Sequence, residues 1–208
     1  MEPTVLASPT CGGSPTGRGR LIVLAGPSGV GKGAIVSRLL AARPDLQLSV
    51  SATTRPARPD EQEERHYYFV DSDRFDRLIE TGGLLEWAEI FGNRYGTPRE
   101  PVERALAAGR DVVVEVDVQG ARQIRAICPD ALMVFIKPPG LDELERRLRR
   151  RGTETEGQVR RRLAKAADEL AAEPEFDVTV VNDVLDEAAR QVVGILDDLR
   201  RRTMRGQR

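Results

Sequence analysis

Gly26-Pro27-Ser28-Gly29-Val30-Gly31-Lys32 is a G-x-x-x-x-G-K run, and the chemistry such a run performs is phosphate binding. Glycines let the chain turn back on itself, so consecutive backbone N–H groups point inward at phosphate oxygens. A helix N-terminus behind the loop adds partial positive charge, and Lys32 adds a full one. The next residue in such loops is Ser or Thr, whose hydroxyl binds Mg²⁺. Here Gly33 and Ala34 follow, and neither carries a hydroxyl. Phosphate cradling is a backbone and lysine task and survives the change, whereas the direct protein–metal contact does not.

Three further groups of residues have the types and spacing for chemistry. Arg55 and Arg58 stand three apart beside Pro56, in a stiff turn that either aims two guanidinium forks at one phosphate or leaves two arginines in solvent. Glu86 sits in Leu84–Phe91 (LLEWAEIF), where alternation puts Leu84, Glu86, Ala88 and Ile90 on one face and Leu85, Trp87, Glu89 and Phe91 on the other. A carboxylate on so apolar a face is an edge residue reaching water or a buried acceptor waiting for donors. Glu115 and Asp117 share one side at the C-terminal end of Asp111–Asp117 (DVVVEVD). Open α/β sheets keep their ligand crevice there, so the pair orients a metal's waters, accepts from a ligand or is simply solvated.

The elements that must position these residues are legible as a rhythm. Leu21–Ala25 reads as a short buried strand before the loop, and Ile35, Val36, Leu39 and Leu40 mark a helix behind it, ended at Arg43-Pro44. Leu46–Ser51 and Tyr67–Val70 read as strands. Asp71 caps a helix through Thr81, closed by Gly82-Gly83. Gly92–Gly96 reads as a turn, and Thr97-Pro98-Arg99-Glu100 as a capping box with Thr97 as the cap. Gln119–Ile127 is a helix, Ala131–Ile136 and Phe176–Val181 are strands, and Asp186–Arg202 is a terminal helix with Ala189, Val192, Val193 and Leu196 inward.

Strands alternating with helices predict an α/β fold: a mostly parallel sheet of the P-loop NTPase type, flanked by helices. The hairpin-rich span 50–97 interrupts that rhythm as an inserted subdomain. The core is then 20–49, 98–140 and 172–208. Residues 141–171 carry an arginine-rich stretch with Leu141, Leu144 and Leu148 on one stripe and Val159 and Leu163 starting another. Interspersed glutamates weaken a nucleic-acid reading. Two helices joined by the Gly-flanked loop 152–157 suit a hinged lid.

The chain has 208 residues and a net charge of −1, enough for a sizeable core and without a global basic field for nucleic acid. Cys11 and Cys128 show no framework or metal spacing, which predicts a reduced, cytoplasmic protein. No apolar run approaches the roughly 18 residues of a membrane span. Residues 1–19, rich in Pro, Gly, Ser and Thr, read as a disordered arm.

Across 20–202 the chain resembles the guanylate kinase family, on GPSGVGKG, SVSATTRPAR, HYYFV, LLEWAEIFGNRYGTP, VVVEVDVQG, RRRGTETEG and VVND, in order and at fitting intervals. The resemblance implies transfer of a phosphoryl group from ATP to GMP with Mg²⁺ as cofactor, by a monomer or small homo-oligomer without nucleic-acid or membrane partners. It implies ATP binding by the loop Gly26–Ala34, with Asn182 near adenine. It puts Arg55, Arg58, Tyr67 and Tyr95 on the GMP phosphate and Ser51, Glu86, Thr97 and Asp117 around guanine. It makes Lys32, Arg55, Arg151 and Arg162 the catalytic cations. Guanine chemistry agrees: a carboxylate at Glu86 accepts from both N1–H and N2–H₂, a donor pair adenine lacks. Thr97 replaces a common serine and keeps its hydroxyl. Glu115 stands where an aspartate is common, and with Gly33 it leaves metal binding to phosphates and water, with Glu115 or Asp117 behind the waters. Two other readings are a non-catalytic interaction module on the same fold, to which Gly33 gives a foothold, and a kinase of phosphorylated sugars, which would not need Glu86 as a base reader.

Overall fold

The computed structural model describes residues 17–90, 92–150 and 156–205. In chain order its elements are β1 (Leu21–Ala25), α1 (Lys32–Ala42), β2 (Gln47–Leu48), β3 (Ser51–Thr53), β4 (Tyr67–Phe69), α2 (Ser72–Glu80), β5 (Leu84–Ile90), β6 (Asn93–Pro98), α3 (Arg99–Ala107), β7 (Val112–Glu115), α4 (Val118–Ile127), β8 (Leu132–Lys137), α5 (Leu141–Arg150), α6 (Glu156–Leu170), β9 (Val178–Val181) and α7 (Leu185–Arg205).

A parallel five-stranded sheet, ordered β2-β7-β1-β8-β9, carries the core. Helices cover both faces, so its central strands are apolar on both sides. In β1, Leu21, Val23 and Ala25 face one layer with α3 and α4, while Ile22 and Leu24 face the other with α1 and α7. The sheet is parallel throughout, as the alternation of strands and helices predicts. Its strand C-termini open onto the loop before α1.

A second sheet, ordered β4-β3-β6-β5, stands beside the first and accounts for the broken rhythm after residue 50. Its own apolar cluster is built from Ala52, Val70, Phe75 and Leu84. The pairing of β5 with β6 slips between Leu84 and Glu86. The adjacent Leu84 and Leu85 point to opposite faces of β5 and bury into different clusters, one under the small sheet and one in the main layer.

Several local expectations are corrected. The strand read at Leu46–Ser51 is two strands, β2 and β3, in different sheets. The turn read at Gly92–Gly96 is mostly β6, paired residue for residue with β5; only Gly92, at φ +76°, keeps the turn. Thr97 is no helix cap: Pro98 takes that place without a side-chain bond, and Thr97 is fully buried inside β6. Asp117 lies beyond β7 and caps α4, its Oδ1 accepting from Gly120 N–H at 2.9 Å. Within the expected arm, Gly19 is packed rather than loose. Its N–H donates to Leu106 O at 2.8 Å, against backbone of Arg110 that a Cβ would strike. Cys128 is buried beside α4 and disulfide-bonded, against the expectation of reduced thiols. Residues 1–16, with Cys11, and Phe91 lie outside the described residues. Among the described residues no helix is long and apolar enough to cross a membrane.

Candidate active site

The loop between β1 and α1 is held by its glycines. Gly26, Gly29 and Gly31 all have positive φ, and a Cβ on Gly26 would meet Ile136 O at 2.0 Å. A Cβ on Gly31 would meet the Asn182 side chain at 2.7 Å, and Asn182 Nδ2 donates to Val30 O at 2.7 Å. Asn182 therefore braces the loop from the end of β9. Lys32 Nζ donates to Gly26 O at 2.6 Å and Pro27 O at 3.3 Å. Burial pushes its pKa down, and the carboxylates of Glu115, Glu169 and Asp117 push it back up.

A cavity of about 570 Å³ opens from this loop toward the small sheet. It brings together Ser28, Lys32, Ser51, Tyr67, Glu86, Tyr95, Glu115, Asp117 and Arg162 from the core, the small sheet and α6. Of the GMP residues assigned by resemblance, Thr97, Arg55 and Arg58 are not among those that line it. Thr97 Oγ1 donates to Glu86 Oε1 at 2.7 Å. Glu86 is the buried acceptor, 7% exposed, and burial pushes its carboxyl up to about 7 against the opposing Thr97 bond. Gly120 makes room for it, since a Cβ there would lie 2.6 Å from Glu86 Oε2.

Arg55 lies over the Tyr67 ring, 5.5 Å from its centroid, and its Nη2 donates to both oxygens of Glu61 at 2.7 and 2.9 Å. The Arg58 side is exposed, and its backbone N–H donates to Glu61 Oε2 at 2.8 Å. Glu61 thus ties the turn, and the arginine beside it holds its carboxyl well below the ordinary range.

A second cavity of about 400 Å³ lies on the other side of the loop, lined by Gly29, Val30, Gly31, Ala34, Arg147, Arg150, Asn182 and Asp183. Asn182 is there, away from the first cavity. Arg147 and Arg150 were not singled out from the sequence. Lys165 and Glu169 were also missed, although Arg162, Lys165 and Glu169 recur at helical spacing on α6 and all line the first cavity. Glu169 Oε2 accepts from Ser28 N–H at 3.3 Å, and Lys165 reaches Asp117 and Glu169 at 3.5 and 3.4 Å. Arg151 and the loop 151–155 lie outside the described residues.

Glu115 closes the floor beside Gly33. A Cβ on Gly33 would lie 3.4 Å from Glu115 Oε2 and 3.8 Å from Oε1. Burial pushes this carboxyl up, and Lys32 is the cation that opposes the shift. A carboxylate oxygen facing the phosphate loop is the hard donor Mg²⁺ takes, so these residues fit the metal of a nucleotide.

The model of the family described as guanylate kinase matches residues 18–199. A guanylate kinase of Synechococcus sp. (strain CC9902) is 58% identical over 84% of this chain and 93% of its own length. One from Thermobifida fusca is 55% identical over 85% of this chain and 90% of its own. The crystal structure of guanylate kinase from Anaplasma phagocytophilum superposes with a TM-score of 0.71 at 33% identity, covering 88% of this chain and 87% of that one.

Proposed function

This chain belongs to the guanylate kinase family and phosphorylates GMP with ATP, and we propose how its own residues divide that work. The observation that carries the proposal is the buried Glu86–Thr97 pair on the wall of a cavity whose other end is the phosphate loop. Guanine enters against Glu86, which accepts from N1–H and N2–H₂. Ser51 and Asp117 stand at the same end, and Thr97 orients Glu86 from behind. Adenine presents no such donor pair and leaves the buried carboxylate unpaired, at about 1–3 kcal/mol. The hydroxyl of Thr97 is spent on Glu86, so the recognition we assign it runs through that carboxylate. A sugar phosphate would make no use of the pair.

The GMP phosphate then lies toward Tyr67, Tyr95, Arg55 and Arg58. Arg55 exchanges part of its Glu61 contact for phosphate oxygens. ATP binds across the loop Gly26–Ala34, with its base toward Asn182 in the second cavity. Lys32 releases the loop carbonyls for the β- and γ-phosphates. Arg162, with Arg151, neutralises the moving phosphoryl. GMP's phosphate oxygen is already charged, so no strong base is needed, and catalysis is alignment plus charge stabilisation. Mg²⁺ supplies further charge neutralisation on the phosphates. Gly33 offers it no hydroxyl, and the carboxylate on its side of the loop is Glu115. Asp117 is committed to the α4 cap and Lys165.

We assign residues 50–97 to GMP, 141–171 to the lid and the rest of 20–208 to the core. The enzyme works as a monomer or small homo-oligomer, without nucleic-acid or membrane partners. It works in the cytoplasm with the ATP and GMP pools. A coupled ADP-release assay with GMP, AMP and no acceptor tests base reading. Turnover with GMP alone is expected, and Lys32→Ala and Arg55→Ala each lower kcat by about a hundredfold or more. Near-wild-type turnover in either variant overturns its assigned role. GMP binding without turnover would favour an interaction module.

A further inference from the structure

Glu86 reads a base only while its carboxylate is held in place, and packing holds its strand weakly there. β5 is an edge strand of the small sheet. Its pairing with β6 slips between Leu84 and Glu86, so the ladder is irregular immediately before Glu86. Glu86 also borders two cavities. One is the cavity of about 570 Å³ that opens from the phosphate loop; the other, of about 350 Å³, is lined by Leu85, Trp87, Arg99, Gln123 and Ile127 among others. A strand with open space on both sides lacks the close packing that fixes a core residue.

The outer edge of β5 is met instead by a side chain of α4. Gln123 Oε1 accepts from Trp87 N–H at 3.1 Å, and Gln123 Nε2 donates to Trp87 O at 2.8 Å. The two bonds supply what a neighbouring strand would, and they fix which end of the amide meets which backbone group. They fall on the residue next to Glu86. Asp117, Gly120 and Gln123 are spaced by three at the start of α4. Asp117 caps the helix, Gly120 leaves room for Glu86 Oε2, and Gln123 clamps the main chain beside it. Thr97 holds the carboxylate itself from β6.

We propose that Gln123 is a positioning residue for guanine recognition: its paired bonds to Trp87 set the reach of Glu86, so that the carboxylate meets N1–H and N2–H₂ together. This rests on the reading of Glu86 as the guanine acceptor and goes beyond it by naming what holds its main chain. A helix of the core thereby takes part in base choice, although the acceptor lies on the small sheet.

The probe is inosine monophosphate, whose base keeps N1–H and lacks the N2 amino group. The quantity read is the ratio of kcat/KM for GMP to that for inosine monophosphate, in wild type, Gln123→Met, Glu86→Gln, the double variant and Arg122→Ala. Arg122 is the neighbour on α4 and is bonded to Glu175 instead. Wild type is expected to prefer GMP about a hundredfold or more, and Gln123→Met to lower that ratio about tenfold with KM for ATP unchanged. In the Glu86→Gln background Gln123→Met adds little, because it acts through Glu86. Arg122→Ala keeps the wild-type ratio. Should Gln123→Met fail to fold, Gln123→Glu keeps the size and the acceptor, loses the donor to Trp87 O and shifts the ratio in the same direction. An equal fall with both substrates, leaving the ratio intact, overturns the proposal, since Gln123 would then be merely structural. The same loss in Arg122→Ala, or a full further loss in the Glu86→Gln background, also overturns it. A wild type that does not distinguish the two substrates removes the Glu86 reading with it.

Discussion

At the residue scale, Glu86 and Gly120 are fitted to each other. A glycine inside α4 costs about 1 kcal/mol of helix propensity relative to alanine, yet its Cα faces the Glu86 carboxylate. Gly120→Ala is expected to leave thermal stability near wild type while raising KM for GMP about tenfold or more, since a methyl there displaces Glu86 from Thr97. Steady-state kinetics beside a melting curve separates the two effects; equal loss of stability and affinity would refute this role for the glycine. The same burial sets a pH dependence. Glu86 holds its proton up to about 7 in the free enzyme, and that proton must leave before the carboxylate accepts two guanine N–H groups. GMP affinity therefore rises with pH toward 7 and levels off above it. The GMP phosphate itself titrates near pH 6, so the comparison is with Glu86→Gln, in which the residue's own part of that rise disappears. Free-enzyme stability has the opposite slope. The folded protein binds the extra proton, so stability falls as pH rises from the ordinary carboxyl range to about 7, and Glu86→Gln removes that loss.

Elements supply what these residues need, and the brace on the phosphate loop is the clearest case. Asn182 at the end of β9 is 4% exposed and donates to Val30 O, far away in sequence. Asn182→Ala is expected to cost about 1–3 kcal/mol in a denaturant titration and to raise KM for ATP more than KM for GMP. An equal rise in both would mean the loop is braced elsewhere. The lid helices are built differently. Leu144, Leu148, Val159 and Ala166 form a cluster of their own between α5 and α6. Leu148 touches Gly29, and Glu169 and Lys165 tie the C-terminal part of α6 to Ser28 and Asp117. What was legible in the sequence follows the same division. The phosphate loop, its strand and its helix could be read because periodicity and glycine placement are local. Thr97 was misread because Thr-x-x-Glu before a helix has a local use as a cap, and only the pairing of β6 with β5 reveals the competing one. Glu61 holding Arg55 and Gly120 admitting Glu86 were invisible, because each depends on where distant segments meet. The lid face at Arg162, Lys165 and Glu169 is legible from helical spacing alone.

Three bodies surround one cavity at the scale of the molecule: the core through Lys32 and Glu115, the small sheet through Tyr67 and Glu86, and the lid through Arg162 and Lys165. The small sheet and the lid each keep an apolar cluster of their own, Leu85 joins the small sheet to the core layer, and the residues that face the cavity from all three are largely polar. Ligands that fill it therefore act as the missing contacts. GMP alone ties the small sheet to the core, and an ATP analogue alone ties the loop to the lid. Each at a hundredfold excess over its Kd stabilises the folded protein by about 2.7 kcal/mol. For a chain of this size that is a rise in Tm of about 5–11 °C. The two ligands place phosphates side by side, and bringing like charges together works against binding unless Lys32, Arg55 and Arg162 close around both. If closure supplies those cations, GMP and β,γ-imido-ATP together raise Tm by more than the sum of the separate shifts, and the reciprocal coupling appears as a lower Kd for each in the presence of the other. Arg162→Ala should lose that excess while keeping the single-ligand shifts. A merely additive shift in the wild type would mean that the bodies bind their nucleotides independently, and that the lid arginine acts only once the transferred phosphoryl has begun to move.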